Sequence, residues 1–324
     1  MFTPTFAVSA AALALVLGVS HAGAADYPTK AVRVVVPVAP GGGTDFIARL
    51  LSQELSERLG QMFVVDNRAG AGGNIGVDLV AKGVPDGYTL LFASSSVAVS
   101  ASYYRKLPYD AQRDLVPISQ ISSRVNVLSV SPQLPVGNVK ELVAYLKPRP
   151  GQATFGSGGG AGSSDHMAGE LFNLLAGVAV THVPYKSGPA AVNDLIGGAL
   201  TLYIGGVPIQ LPMIKANRIK PLATTGARRS SALPELPTVA EAGVPGYEVN
   251  VWYGIFAPRN TPRPLVMKIA EDLRAVMQAP ENRERWAGLG VDPEGTSPAD
   301  FSAYFKADIE KWRKVVVAAK LHSD

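Results

Sequence analysis

Three glycine-rich loops punctuate the chain: Pro40-Gly41-Gly42-Gly43-Thr44-Asp45, Gly70-Ala71-Gly72-Gly73-Asn74, and Gly156 through Ser164. Each follows a short apolar run and precedes a stretch with helical periodicity. This repeated order restricts the chain to a fold made of strand, tight turn and helix units. Glycine lets the backbone turn sharply and approach a ligand closely. The first N–H groups of the following helix lack internal acceptors and form the positive end of its dipole, so the same turns favour a carboxylate or phosphate.

The alternation continues along the sequence. Ala31 and Arg33-Val34-Val35-Val36 form a β-branched run of the kind found in a strand covered on both faces. Phe46, Ile47, Leu50, Leu51, Leu55 and Leu59 then fall on one helical stripe, and Gly60 closes the helix. Strands are predicted at Phe63–Val65, Tyr88–Phe92, Ala153–Phe155, Val180–Val183 and Leu200–Ile204. Helices are predicted at Ile75–Lys82, Val139–Lys147, Ser164–Leu175 and Ala190–Ile196. Val249–Phe256 reads as a further strand, with a helical remainder whose last element presents Phe301, Tyr304, Phe305, Ile309, Trp312 and Val316 on one core-facing side. Pro/Gly-marked stretches near Ser131–Pro135 and Thr238–Gly246 suggest boundaries.

At 324 residues and 47% apolar composition, the chain is long enough for two lobes with a substantial core. Charged residues make up 17% and the net charge is +4, with both signs interspersed and no Lys/Arg block, which argues against nucleic acid. The absence of cysteine excludes disulfides, thiolate nucleophiles and Cys-based metal sites. Phe6–Val19 is an apolar run of about 14 residues followed by the small-x-small site Ala22-Gly23-Ala24, although no Lys or Arg precedes it. It is shorter than the roughly 20 residues needed to span a bilayer, so it reads as a secretory signal cleaved near Ala24 and predicts a periplasmic protein.

Several blocks carry a family resemblance. Val34-Val35-Val36-Pro37 through Gly43-Thr44-Asp45 and Arg49, Asn67 through Gly76, and Pro85-Asp86-Gly87-Tyr88-Thr89-Leu90 resemble the Bug receptors. These are the extracytoplasmic solute-binding proteins associated with tripartite tricarboxylate transporters. The likeness continues through Gly169–Phe172, Thr181–Lys186, Leu236–Gly243 and Lys311-Trp312 with Val315, and so covers essentially the whole chain beyond the signal. It implies a type II periplasmic-binding-protein fold: two doubly wound α/β lobes joined by crossing strands. Lobe 1 is expected to comprise residues 25–127 and 250–324, and lobe 2 residues 128–249, with residues 1–24 as the signal.

The resemblance further implies a small carboxylate ligand, held largely by backbone N–H groups, hydroxyls and water. Delivery would be to membrane transporter subunits or a sensor domain, with no cofactor, metal or catalytic residue; a monomer is the default expectation. By that resemblance lobe 1 contributes Gly42, Gly43, Thr44 and Asp45, with Gly72 and Gly73. Lobe 2 contributes Ser157, Gly158, Gly159, Ser163 and Ser164. Ser94 and Ser95, after the third strand, face the cleft or cap a helix. Gly205 and Gly206 stand where the family often has a polar residue such as Asp, which predicts a widened or less polar pocket and a bulkier or less polar acid than an acidic amino acid.

Structural alternatives stand beside these roles. Thr44 can cap its helix, and Asp45 can favour the helix dipole and pair with Arg49 four residues on, or else receive the ammonium of an amino-acid ligand. His166 and His182 read as structural hydrogen-bonding residues, since neither has metal-ligand spacing and no Gly-x-Ser-x-Gly elbow supplies a nucleophile. The competing function is an exported nucleotide-dependent enzyme. Gly70, Gly72 and Gly76 give it a loose spacing, but no Gly-x-Gly-x-x-Gly or Gly-Lys-[Ser/Thr] completes it.

Overall fold

The computed structural model describes residues 26–230 and 232–321, so the signal segment lies outside the described residues. Each glycine loop joins a strand to a helix as the sequence predicts. β1 (Val32–Val36) leads to α1 (Gly43–Leu59), and β2 (Phe63–Asn67) leads through the 3-10 turn Ala71–Gly73 to α2 (Asn74–Ala81). β3 (Thr89–Ser94) leads to α3 (Ser96–Tyr103). After β4 (Leu115–Val130) and α4 (Val139–Leu146) the pattern repeats with β5 (Thr154–Ser157), α5 (Ser164–Ala176), β6 (Thr181–Pro184), α6 (Gly188–Gly197), β7 (Leu202–Gly206) and α7 (Val207–Lys215). The chain ends with β8 (Lys220–Thr224), β9 (Asn250–Pro258), α8 (Arg263–Gln278), α9 (Pro280–Gly288), β10 (Asp292–Pro293) and α10 (Pro298–Ala318).

Strand pairing makes the two lobes copies of one plan. Lobe 1 runs β2-β1-β3-β9-β4 and lobe 2 runs β6-β5-β7-β4-β8, and within each lobe only the fourth strand of that order is antiparallel to its neighbours. β4 belongs to both. It pairs with β9 from Leu115 to Val125 and with β7 from Asn126 to Val130, so its partners change between Val125 and Asn126. The registers Ser94↔Tyr253 and Asn126↔Gly206 place the C-terminal ends of β3 and β7 beside this crossing point. The helices that follow the parallel strands therefore begin at the interlobe cleft, where ligands bind in open α/β sheets.

The C-terminal segment returns to lobe 1. Trp286 Nε1 donates to both oxygens of the buried Glu54 carboxylate on α1 at 3.1 Å, and Trp252 Nε1 on β9 donates to Asp308 on α10 at 2.8 Å. Phe301, Phe305, Ile309, Trp312 and Val316 are all buried, each contributing about 1.5–3 kcal/mol of burial free energy. Tyr304, predicted on the same face, is 37% exposed. The predicted stripe of α1 is also narrower than expected: Ile47, Leu51 and Leu55 are buried, whereas Phe46 is 54% exposed at the cleft end.

Candidate functional site

α1 opens on Gly41-Gly42-Gly43. Gly42 is its cap, so the predicted capping role of Thr44 is not realised: Thr44 sits half-buried inside the first turn. A side-chain carbon built on Gly42 or Gly43 would meet nothing within 4 Å among the described residues, which leaves open space over the helix N-terminus. Asp45 points the other way. Its carboxylate is 3% exposed and accepts from Gly41 N at 2.9 Å, Arg49 Nε at 3.0 Å and Asn67 Nδ2 at 2.8 Å. Burial raises its pKa, but the Arg49, Gly41 and Asn67 donors outweigh burial and hold it below the usual carboxylate value. Asp45 thus makes the pairing with Arg49 expected of a scaffold role, with two further donors on its carboxylate.

Gly72 and Gly73 adopt φ of 66° and 97°, and each is hemmed in: a Cβ on Gly72 would lie 2.5 Å from the Tyr104 hydroxyl, and one on Gly73 3.0 Å from the Pro37 carbonyl. Both positions require glycine on conformational and steric grounds. Ser94 Oγ accepts from Ser96 N at 3.5 Å, and Ser95 is fully buried with a hydroxyl that has no hydrogen-bond partner among the described residues.

In lobe 2 the predicted residues converge on one loop, and much of it is internally bonded. Ser157 Oγ donates to Gly160 O at 3.0 Å and lies 2.7 Å from His182 Nε2. Ser163 Oγ donates to the same carbonyl at 2.7 Å while capping α5 through His166 N at 3.2 Å. Gly158 N points at Asp165 Oδ2, 3.4 Å away, and Gly159 sits exposed at the loop. Both predicted ligand hydroxyls, of Ser157 and Ser163, are thus hydrogen-bonded within the loop. Ser164, the first residue of α5, takes no side-chain hydrogen bond among the described residues and keeps its N–H at the positive end of the helix.

Both histidines are hydrogen-bonded within lobe 2. Gly162 N donates to His166 Nδ1 at 3.0 Å, which places the His166 proton on Nε2, 3.5 Å from Glu170 Oε1. His182 stacks on His166 with centroids 3.9 Å apart, and burial followed by the neighbouring His166 lowers its pKa to about 4. Tyr103, at the end of α3 in lobe 1, meets His166 edge-on at 6.1 Å, and a Cβ on Gly162 would lie 3.0 Å from its ring, so lobe 1 touches the lobe 2 loop here.

Gly205 and Gly206 do not widen the pocket as predicted. A Cβ on Gly205 would lie 2.2 to 2.4 Å from atoms of the Tyr203 phenol, and one on Gly206 would lie 2.5 Å from Arg124 Nη1. The room given up by these side chains is filled by two others. The Tyr203 hydroxyl is buried and wedged against Gly158 and Gly188 beside Asp165, and burial, then Asp165, drives its pKa well above the ordinary value. Arg124 Nη1 donates to Asn126 Oδ1 at 2.5 Å, and Asn126 Nδ2 donates to Asp165 Oδ1 at 3.2 Å. Burial works against the Arg124 charge and raises the Asp165 pKa; Tyr253 and Asp165 nevertheless leave the guanidinium pKa above its usual value.

Sequence reasoning missed Arg124 because it did not recognise β4 as a strand. The available signal was that Arg124 is the sole charged residue between Leu115 and Val130. Elsewhere, a surface groove of about 430 Å³ lined by Glu170, Asn173, Thr181 and Ala319 opens beside β6 and contains none of the predicted ligand residues. Among the described residues, no group of three or more His, Asp or Glu side chains is arranged to hold a metal ion.

An R. palustris protein solved with adipate superposes with a TM-score of 0.83 at 39% identity, covering 91% of this chain and 99% of its own. MatC from Rhodopseudomonas palustris, solved with bound malate, superposes with a TM-score of 0.80 at 30% identity, covering 90% and 100%. Protein BugT of Bordetella pertussis is 37% identical over 292 residues, which is 90% of this chain and 89% of BugT. The model of the tripartite tricarboxylate transporter family receptor matches residues 47–321, and the chain belongs to that family.

Proposed function

We propose that this protein is an exported solute-binding receptor that captures a small carboxylate between its lobes for uptake or sensing. The observation that carries the reading is the shared plan of the two lobes, which brings the N-termini of α1 and α3 and those of α5 and α7 to opposite sides of one crossing point. Open space over Gly42 and Gly43 on one side and the unbonded Ser164 hydroxyl on the other suit an anion accepting backbone and hydroxyl donors. Relatives solved with adipate and with malate support a carboxylate as the ligand. Family membership supports membrane delivery partners, and the apolar N-terminal run supports export.

The enzyme reading gains nothing from the Ser157 and His182 pair. Ser157 is fully buried between the Gly160 carbonyl and His182 Nε2, so its hydroxyl is not accessible to a substrate. The ligand favours a closed form because only closure engages both lobes, with β4 and β9 as the crossing strands. A thermal-shift screen of residues 25–324, refolded to strip carried-over ligand, tests the reading against mono-, di- and tricarboxylates, amino acids, aromatic acids and nucleotides. At a hundred times its dissociation constant a ligand stabilises the native state by about 2.7 kcal/mol. A shift confined to carboxylates supports the receptor, and one confined to nucleotides overturns it.

A further inference from the structure

Arg124 is placed unusually for a family whose ligand grip is expected to use backbone and hydroxyl donors. It lies on the crossing strand one residue before the change of partners, paired with Val251, and its guanidinium covers Gly206 at the C-terminal end of β7 in lobe 2. On the lobe 1 side, Nε donates to the Tyr253 hydroxyl at 3.2 Å, and Tyr253 pairs with Ser94 at the C-terminal end of β3. The side chain therefore sits at the base of the cleft, between the strand ends from which both lobes' glycine loops and helices begin.

Its bonding is incomplete. Nε and Nη1 have neutral acceptors, Tyr253 and Asn126, whereas Nη2 has no protein acceptor among the described residues. The residue is only half-buried, and Nη2 is absent from the buried orphan atoms, so solvent reaches it. Among the described residues no carboxylate lies within ion-pair distance of the guanidinium; Asp165 is hydrogen-bonded to it only by way of Asn126 and acts on its charge from beyond contact distance. A planar fork with one open edge, at the base of a cleft and lacking a direct counter-ion, matches a carboxylate by both charge and geometry. Gly206 is what permits it, since any side chain there would collide with Nη1.

We propose that Arg124 is a specificity-determining residue that binds a second carboxylate of the ligand at the base of the cleft, while the helix N-termini hold the first. The inference rests on the receptor reading and narrows it to ligands with two anionic ends.

The test is calorimetric titration of the refolded chain with a series of unbranched α,ω-diacids and their monomethyl esters, repeated with Arg124→Gln and Arg124→Lys. The preferred diacid should bind roughly ten- to a hundredfold more tightly than its monoester, the range of one charge-assisted hydrogen bond. Arg124→Gln should bring that ratio to within about threefold by weakening the diacid more than the monoester, and Arg124→Lys should restore part of it. Equal binding of diacid and monoester by the unmodified chain would remove the role of Arg124 and leave the receptor reading standing. Equal weakening of both ligands in Arg124→Gln would make the residue a hinge element only. If no carboxylate binds the unmodified chain, both readings fall. Equal binding of diacid and monoester overturns the proposal even if the variants do not fold.

Discussion

Replacing Asp45 with Asn keeps the shape of a buried side chain and removes only its charge and one acceptor. In the native loop, Oδ2 accepts from Gly41 N and Arg49 Nε, and Oδ1 accepts from Asn67 Nδ2. An Asn amide supplies one oxygen and one NH2, so turning the oxygen toward Gly41 and Arg49 sets its NH2 against the NH2 of Asn67. Flipping Asn67 does not help, because its Oδ1 accepts from Arg49 Nη2 at 2.9 Å and its Nδ2 also donates to Val38 O at 3.1 Å. One buried donor is left without an acceptor, at about 1–3 kcal/mol. The Arg49 side chain is 51% exposed, so loss of the ion pair adds at most about 1 kcal/mol. The expected destabilisation is about 2–3 kcal/mol, read from urea unfolding by circular dichroism with an unchanged denaturant slope. The Asp45 pKa is lowered by folding, so its contribution is present above the unfolded-state value and lost as pH falls through the folded one. The difference between native and variant stability should therefore shrink below about pH 4. A cost under about 0.5 kcal/mol, together with weakened ligand binding, would refute the scaffold role and return Asp45 to the ligand.

Two further outcomes follow from local geometry. Gly169→Ala should destabilise the fold by about 1–3 kcal/mol or more in thermal unfolding, since the new Cβ would sit 2.1 to 2.6 Å from atoms of the fully buried Phe155 ring; a neutral effect would contradict the packing of α5 on β5. Acidification should weaken the fold through His182: its pKa falls from 6.5 to about 4 on folding, so stability is complete above pH 6.5 and declines toward pH 4. After allowance for partial solvent exposure this amounts to about 1–2 kcal/mol, and a His182→Gln variant should lose that slope.

Much of the fold was legible because its signals are local. Continuous β-branched runs such as Val34-Val35-Val36, a 3.6-residue stripe closed by Gly60, and glycines between strand and helix each follow from short-range backbone and burial rules, and β1, α1, β5, α5 and β9 lie close to their predicted positions. β4 escaped because it alternates with neither period: Ser119, Gln120, Ser122, Ser123, Arg124 and Asn126 interrupt the apolar residues of a strand that serves two lobes in succession. α3, expected only as a helix that Ser94 and Ser95 could cap, was not delimited, and α7 escaped, for a related reason. One is short and weakly amphipathic and the other contains Pro208 and Pro212, so tertiary packing overrides propensity.

The site divides along the same line. By itself the sequence determined that the glycine loops lie at strand-to-helix turns, and with the family resemblance it located the receptor fold and the loops that flank the cleft. Which atoms in those loops remain available was decided only by tertiary structure, because hydrogen bonds are exclusive. Asp45 is saturated by Gly41, Arg49 and Asn67, Ser157 and Ser163 both donate to the Gly160 carbonyl, and Ser164 is left over. Tertiary structure also decided that the space above Gly205 and Gly206 is filled, by Tyr203 from the same strand and by Arg124 from a strand 82 positions before Gly206 (206 − 124). Residues that distant in sequence become neighbours only through the antiparallel register of β4 and β7, which no local pattern encodes.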